Sequence, residues 1–322
     1  MLCFLRSGSA KTEATGAGHH GVTPTVMKEI ASSRFDNRQF SDVEANEIAH
    51  IAQTQGWQVA AHDYMRSLNH RAYRLAIDEY RSQIRFLLPL SCESRVLDLR
   101  SDWGSVAFNL AAHSDFVVAM DDRSTRSRFI ASRQAQTGIQ TVHGLCGSLT
   151  PHLPFADEAF DAVIMLEALE HVKMGDGSYW KTAQHSALVE VMRVLKKRGS
   201  ALLGISNRFG IARPPTSGLQ HSRTYWGYRQ ALQKAGFSEV RFYAALPSHR
   251  EPFFILPLDG AQALNFFVHK MFTAQDYRSK LQARGLGSAY RLAFMLQRLA
   301  HHLGFMKFAR YFVPTYLILA QK

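Results

Sequence analysis

From residue 94 onward the chain switches repeatedly between short apolar runs and longer stretches with helical spacing. This alternation constrains the fold more than any other feature. The runs are RVLDL, DFVVAM, IQTVH, FDAVIM, SALLGI, EVRFYAA and TYLILA. Strands that alternate with helices pair in parallel, because each crossover helix carries the chain back to the same end of the sheet. The pattern therefore predicts an α/β fold built on a doubly wound, mostly parallel sheet, and no internal repeat is visible. In such a sheet ligands bind beyond the carboxyl ends of the strands, where the strand order reverses. Candidate functional residues are those that follow each run.

The flanking segments read differently. Residues 1–30 are rich in Gly, Ser, Ala and Thr with little apolar pattern, which cannot offset the entropy of ordering, so a flexible tail is expected. Ser41 to Leu88 has no proline and a single glycine, with apolar residues three or four apart, and predicts a helical N-terminal cap over residues 31–90. The core is expected over 91–247. In 248–322 a helical pattern from Gly260 to Phe312 precedes the last run, TYLILA, and predicts a helical C-terminal insertion before the final strand.

Charge is unevenly placed. The net charge is +12, and from Asn265 to Lys322 there are nine Lys or Arg against one acid, Asp276. Within that segment Leu292, Met295, Leu296, Leu299, Leu303 and Met306 form a stripe at helical spacing, flanked by Arg291, Arg298 and His302. A helix packed on its own domain accounts for this stripe. So does a surface that meets an anionic membrane through residues 265–322, since apolar and basic groups together suit that interface. The three cysteines, Cys3, Cys92 and Cys146, are odd in number and far apart, which excludes a disulfide framework and a CxxC metal site and suits a reducing, cytoplasmic setting. No metal site is expected. No run of about 18 apolar residues exists, so neither a membrane span nor a cleaved signal is expected.

The residues after the strands carry the chemistry. The first run leads into Asp98-Leu99-Arg100-Ser101-Asp102-Trp103-Gly104, and Asp121 closes the second run 23 residues beyond Asp98. A strand, a tight turn and an acid about 20 positions on is the arrangement in which a carboxylate accepts hydrogen bonds from a ribose diol, and it points to a nucleoside cofactor. Asp121 also suits a plain helix cap. Further on, LPFADEAFDAVIMLEALEHV is followed by LVEVMRVLKKRGSALLGISNRFG and then by GYRQALQKAGF and YAALPS. These motifs resemble the class I S-adenosylmethionine-dependent methyltransferases, Rossmann-like proteins with a seven-stranded sheet, and the likeness spans about residues 85–260 and the terminal strand. It implies S-adenosylmethionine as cofactor. Asp98 and Gly104 would surround its methionine end, Asp121 would meet the ribose, and Glu170 and His171 would stand at the mouth of the pocket, with Asn207 after the fifth strand. His171 is the first candidate for a general base, with His221 and Tyr225 behind it. Asn207, Arg208, His221 and Tyr225 are candidates for substrate contact. The Asn/Asp-Pro-Pro-aromatic signature of nucleobase amine methylation is missing, where MLEALEH stands instead. The expected partner is accordingly a small or carrier-linked metabolite methylated on oxygen or nitrogen, and nucleic acid is a secondary reading.

Three residues depart from the family pattern in one pocket. Arg100 and Asp102 stand where the loop has glycine, and Ser148, after Gly147, stands where an acid meets the adenine. Two readings stay open: the altered loop still holds the cofactor through Asp98, Gly104 and Asp121, or the pocket is closed and the protein acts as a binding or scaffold partner without catalysis.

Overall fold

A computed structural model describes residues 40–77, 79–149, 152–172, 179–210, 219–260, 262–273 and 305–322. The chain divides into two compact units, Met1–Asp36 and Asn37–Lys322, and every described residue belongs to the second. The expected tail at 1–30 and most of the basic stripe, 292–303, lie outside the described residues.

Helix α1 (Asp42–Thr54) opens with a capping box in which the Ser41 hydroxyl accepts from the Glu44 amide and the Glu44 carboxylate accepts from the Ser41 amide, satisfying two donors that a helix start otherwise leaves without partners. A π-helical turn (Val59–Met65), α2 (His70–Ile77) and a 3-10 segment (Glu79–Leu87) follow, so the segment read as a cap is helical. Then come β1 (Arg95–Leu99), α3 (Ser105–Leu110), β2 (Phe116–Asp121), α4 (Ser124–Thr137), β3 (Val142–Cys146), β4 (Phe160–Leu166), α5 (Trp180–Val194), β5 (Leu195–Ser206), α6 (Tyr225–Ala235), β6 (Glu239–Pro247), β7 (Pro252–Pro257), α7 (Gln262–Thr273) and β8 (Thr315–Gln321).

The sheet runs in the order β3-β2-β1-β4-β5-β8-β6-β7. The first five are mutually parallel, while β8 lies antiparallel between β5 and β6 and β7 pairs antiparallel with β6. The order reverses between β1 and β4, and a ligand crevice is expected above that point. Side chains of the central strands alternate between two buried layers. Leu97, Leu99, Val118, Met120, Val163 and Met165 face one, while Val96, Val117, Ala119, Ala162 and Ile164 face the other. Because both faces are covered, these strands read as unbroken apolar runs.

The sheet has eight strands where seven are expected. The addition is β7, PFFILP, which carries a proline at each end; proline cannot donate to a strand ladder and is tolerated at a sheet edge, which is where β7 sits. The cap packs on the core through the first loop. Trp103, 4% exposed, lies edge-on to Phe40 at 5.8 Å and to Phe129 at 5.3 Å, and Gln136 joins α4 to the end of α1 by donating to the Ala52 carbonyl at 2.8 Å and accepting from the Trp57 amide at 2.7 Å. No helix among the described residues is long and apolar enough to cross a membrane.

Candidate active site

The loop after β1 keeps the backbone of a glycine-rich turn. Arg100, Asp102 and Gly104, the three alternate positions, have φ of 60°, 57° and 81°. Only at the third does the structure hold glycine, and there a Cβ would come within 3.0 Å of Ile130 and 3.3 Å of Phe108. At the other two an L-residue occupies the left-handed region at a cost of about 1–2 kcal/mol each.

Side-chain contacts hold those two residues. Arg100 donates from Nη1 to the Glu167 carbonyl at the end of β4, 3.2 Å away, and burial pulls its pKa down, with Arg126 adding to the effect. Asp102 pairs with Arg126 at 3.0 Å, and Arg126 also pairs with Asp121 at 3.3 Å. Burial works against the Arg126 charge, and the two carboxylates outweigh it, so its pKa is raised.

Asp121 is placed differently from expectation. Its carboxylate is fully covered and accepts from the Asp102 amide and the Arg123 amide, both at 3.0 Å, as well as from Arg126. These bonds knit the loop to β2 and the start of α4. The exposed acid at this point is its neighbour Asp122.

Above β1 and β4 lies a cavity of about 230 Å³. Leu99, Met120, Leu149, Ala168 and Val172 form its apolar walls, and Arg100, Asp121, Asp122, Ser148 and His171 contribute polar groups. Beside it, at the end of β1, lies a set of buried polar atoms without hydrogen-bond partners: Arg81 Nε, Asp98 Oδ2 and Ser101 Oγ. Buried polar atoms are rarely left so. Burial raises the Asp98 carboxyl to about 7, with Arg81 opposing.

His171 belongs to the cavity wall and is partly buried. Its Nδ1 lies 2.9 Å from the Glu167 carbonyl. A carbonyl only accepts, so Nδ1 carries a proton, and in the neutral ring Nε2 is the acceptor. Glu170 does not line the cavity. It is 2% exposed, accepts from the Ser206 amide at 2.7 Å, and is raised in pKa by burial.

The remaining expected site residues separate. Asn207 is wholly buried, donating to the Tyr311 and Val313 carbonyls at 2.7 and 2.8 Å and accepting from the Phe209 amide; it clamps the end of β5 to the chain entering β8 rather than facing a ligand. Tyr225 is 5% exposed and stacks 4.2 Å from Phe242 among Tyr311 and Tyr316, a packing role. His221 lies over Trp180 at 5.8 Å, and its carbonyl accepts from Gln184, which also donates to the Leu169 carbonyl. Arg208 lines a second cleft.

Sequence reasoning missed Arg81, Arg126, Glu167, His249 and Arg250. Glu167, with φ 60°, forms a buried ion pair with Arg250 and accepts from the His249 Nε2 at 3.2 Å; burial lowers His249 to about 4 and keeps it neutral. An LE dipeptide at a strand end carried no signal of this. Among the described residues no cluster of three or more His, Cys, Asp or Glu could hold a metal ion.

Residues 97–203 match a family described as a methyltransferase domain. No curated protein matches the chain. Among solved structures, phosphoethanolamine N-methyltransferase 2 of Haemonchus contortus, in complex with S-adenosyl-L-methionine, is 16% identical, with a TM-score of 0.50 over 84% of this chain and 59% of that one. The [4+2]-cyclase SpnF is 19% identical, with a TM-score of 0.47 over 78% and 81% of the two chains. A SAM-dependent methyltransferase of Thermotoga maritima is 16% identical, with a TM-score of 0.46 over 80% and 97%.

Proposed function

We propose that the protein, whose residues 97–203 match a methyltransferase domain, is a class I S-adenosylmethionine-dependent methyltransferase that methylates an oxygen or nitrogen of a small or carrier-linked metabolite, with His171 as the base.

The residues present fit the cofactor. At about 230 Å³ the cavity is smaller than the roughly 300–1,000 Å³ of sites that take a whole drug-sized ligand. Its apolar walls, with Asp122 and Ser148 at the rim, suit the nucleoside portion. The unpartnered Asp98 Oδ2 and Ser101 Oγ suit an ammonium, and Arg81 Nε a carboxylate, which together match a zwitterionic amino-acid end. When bound, S-adenosylmethionine supplies an electrophilic methyl group. Arg100 is the departure, a cation in a cleft that receives a cationic sulfonium.

The chain's own part in transfer is modest. Holding a nucleophile in line supplies much of the acceleration, and a base within reach removes its proton. The observation that carries the reading is the His171 contact at Nδ1, which lies 2.9 Å from the Glu167 carbonyl in a ring that forms part of the cavity wall; in the neutral ring that contact makes Nε2 the basic nitrogen. Glu167 is itself fixed by Arg250 and His249, so the backbone that orients His171 is anchored from the turn between β6 and β7.

The test is incubation of the full chain with methyl-labelled cofactor and the small-molecule fraction of a cell extract. Label enters a metabolite with the wild type and is lost with His171→Ala, while S-adenosylhomocysteine still binds. A wild type that labels nothing while binding the cofactor refutes the acceptor class, and an undiminished His171→Ala refutes the base.

A further inference from the structure

Between α5 and α6 lies a second and larger cleft, of about 650 Å³, within the range of small-molecule sites. It shares no lining residue with the cofactor cavity. Among the described residues its wall carries Lys181, Arg208, Arg223, Lys234 and His185, and no Asp or Glu. Four cations around one concavity repel one another, and a solvated helix face ordinarily intersperses acids among them.

Two further features set these cations apart. Lys181 and Lys234 are exposed and have no ion-pair partner among the described residues. Arg223, by contrast, is held in place. Its Nε donates to Gln184 at 2.8 Å and its Nη2 to the Lys181 carbonyl at 3.2 Å, with the guanidinium 5.2 Å from the Trp180 ring centroid. Those two bonds leave Nη1 as a positioned donor with no protein partner among the described residues. Burial lowers the Arg223 pKa, a cost that an anion in the cleft offsets. The amino-terminal turn of α6, through Thr224 and Gly227, closes the wall and adds its dipole in the same sense.

We infer that the cleft between α5 and α6 binds a phosphate-bearing small molecule, gripped by Lys181, Lys234, Arg208 and the fixed fork of Arg223, with Trp180 as its flat wall. Arginine and lysine serve different parts of such a grip, a directed fork and point charges. A cleft of this volume, with an aromatic wall, favours a compact ligand over a nucleic-acid strand, which needs an extended basic track.

Calorimetry on the full chain with inorganic pyrophosphate, and separately with inorganic phosphate, tests this. Pyrophosphate binding is expected, weakened about tenfold or more in Lys181→Glu/Lys234→Glu, with S-adenosylhomocysteine binding unaffected. Lys197→Glu/Arg198→Glu, the same charge change at the opposite end of β5, leaves pyrophosphate affinity within about twofold. Stronger binding of pyrophosphate than of phosphate marks a phosphate ester as the natural occupant, and equal binding marks the free ion. A perturbed Trp180 indole resonance on titration reports the same site without any charge variant. No pyrophosphate binding at about 10 mM, well above a millimolar Kd, overturns the inference. So does equal loss in both double variants, or binding of a single-stranded oligonucleotide in the absence of pyrophosphate binding.

Discussion

Replacing Arg100 with glycine restores the residue that the backbone at φ 60° already accommodates. Glycine relieves about 1–2 kcal/mol of left-handed strain, loses about 0.5–1 kcal/mol to the entropy of the unfolded chain, and forfeits the hydrogen bond to the Glu167 carbonyl, worth about 1 kcal/mol. These nearly cancel, so Tm moves by no more than a few degrees. Ligand binding responds more strongly. A sulfonium bound about 8 Å from the Arg100 guanidinium would, at an effective dielectric near 20, be repelled by about 2 kcal/mol, or about 30-fold in affinity. S-adenosylmethionine carries the cationic sulfonium and S-adenosylhomocysteine does not. Calorimetry is therefore expected to show Arg100→Gly and Arg100→Met both raising affinity for the methylated cofactor by roughly 30-fold, while the demethylated product changes by less than about threefold. Equal gains for both ligands mean that Arg100 acts by bulk rather than charge. A fall for both means that it binds the cofactor's carboxylate, and either outcome refutes the electrostatic argument.

Other consequences are open to measurement. Asp98 has its pKa raised to about 7 by burial, so between about pH 4 and 7 the folded state holds a proton that the unfolded state releases, and stability falls as pH rises through that window. Relative to Asp98→Asn, the wild type is expected to lose about 2–3 kcal/mol between pH 5 and 8 in denaturant titrations; a constant difference contradicts the buried carboxyl. An ammonium ligand at Asp98 favours the charged form, so S-adenosylhomocysteine binding near pH 6 is expected to release protons, detected as a dependence of calorimetric heat on buffer ionisation. Asn207→Ala strands the Tyr311 and Val313 carbonyls and the Phe209 amide and is expected to destabilise by about 2–4 kcal/mol; chemical denaturation showing less than about 1 kcal/mol rules out the clamp. Gly204→Ala places a Cβ 2.6 Å from Leu166 and 3.1 Å from His249, with an expected cost of about 1–3 kcal/mol, read as a lowered Tm.

The parallel core was legible because both faces of its strands are buried, which writes them as apolar runs. β7 was not, since two prolines disguise a strand that only an edge position permits. In the site, the positions after each strand were found by pattern, and Arg100 and Asp102 take the left-handed φ of a glycine-rich loop. What each side chain does there was less legible. Asp121 was expected to face a ribose, and it is turned inward by Arg126, five residues on in the next helix, whose charge looks like any other on a solvated helix. Arg250 reaches Glu167 across 83 residues of sequence, and Arg81 lies 24 residues before Ser105. Such partners meet only through the fold, and no spacing rule announces them.

The place of β8 in the sheet bears on synthesis. Its Tyr316, Leu317, Ile318 and Ala320 are wholly buried between β5 and β6, two strands made more than 65 residues earlier and unable to pair with each other across the gap it fills. Until residues 315–321 leave the ribosome, the β6–β7 hairpin has no ladder joining it to the parallel half, and the apolar edge of β5 stands open. A nascent chain of this kind therefore passes through a long interval with two exposed strand edges, in which chaperone capture or pairing between chains competes with completion of the sheet.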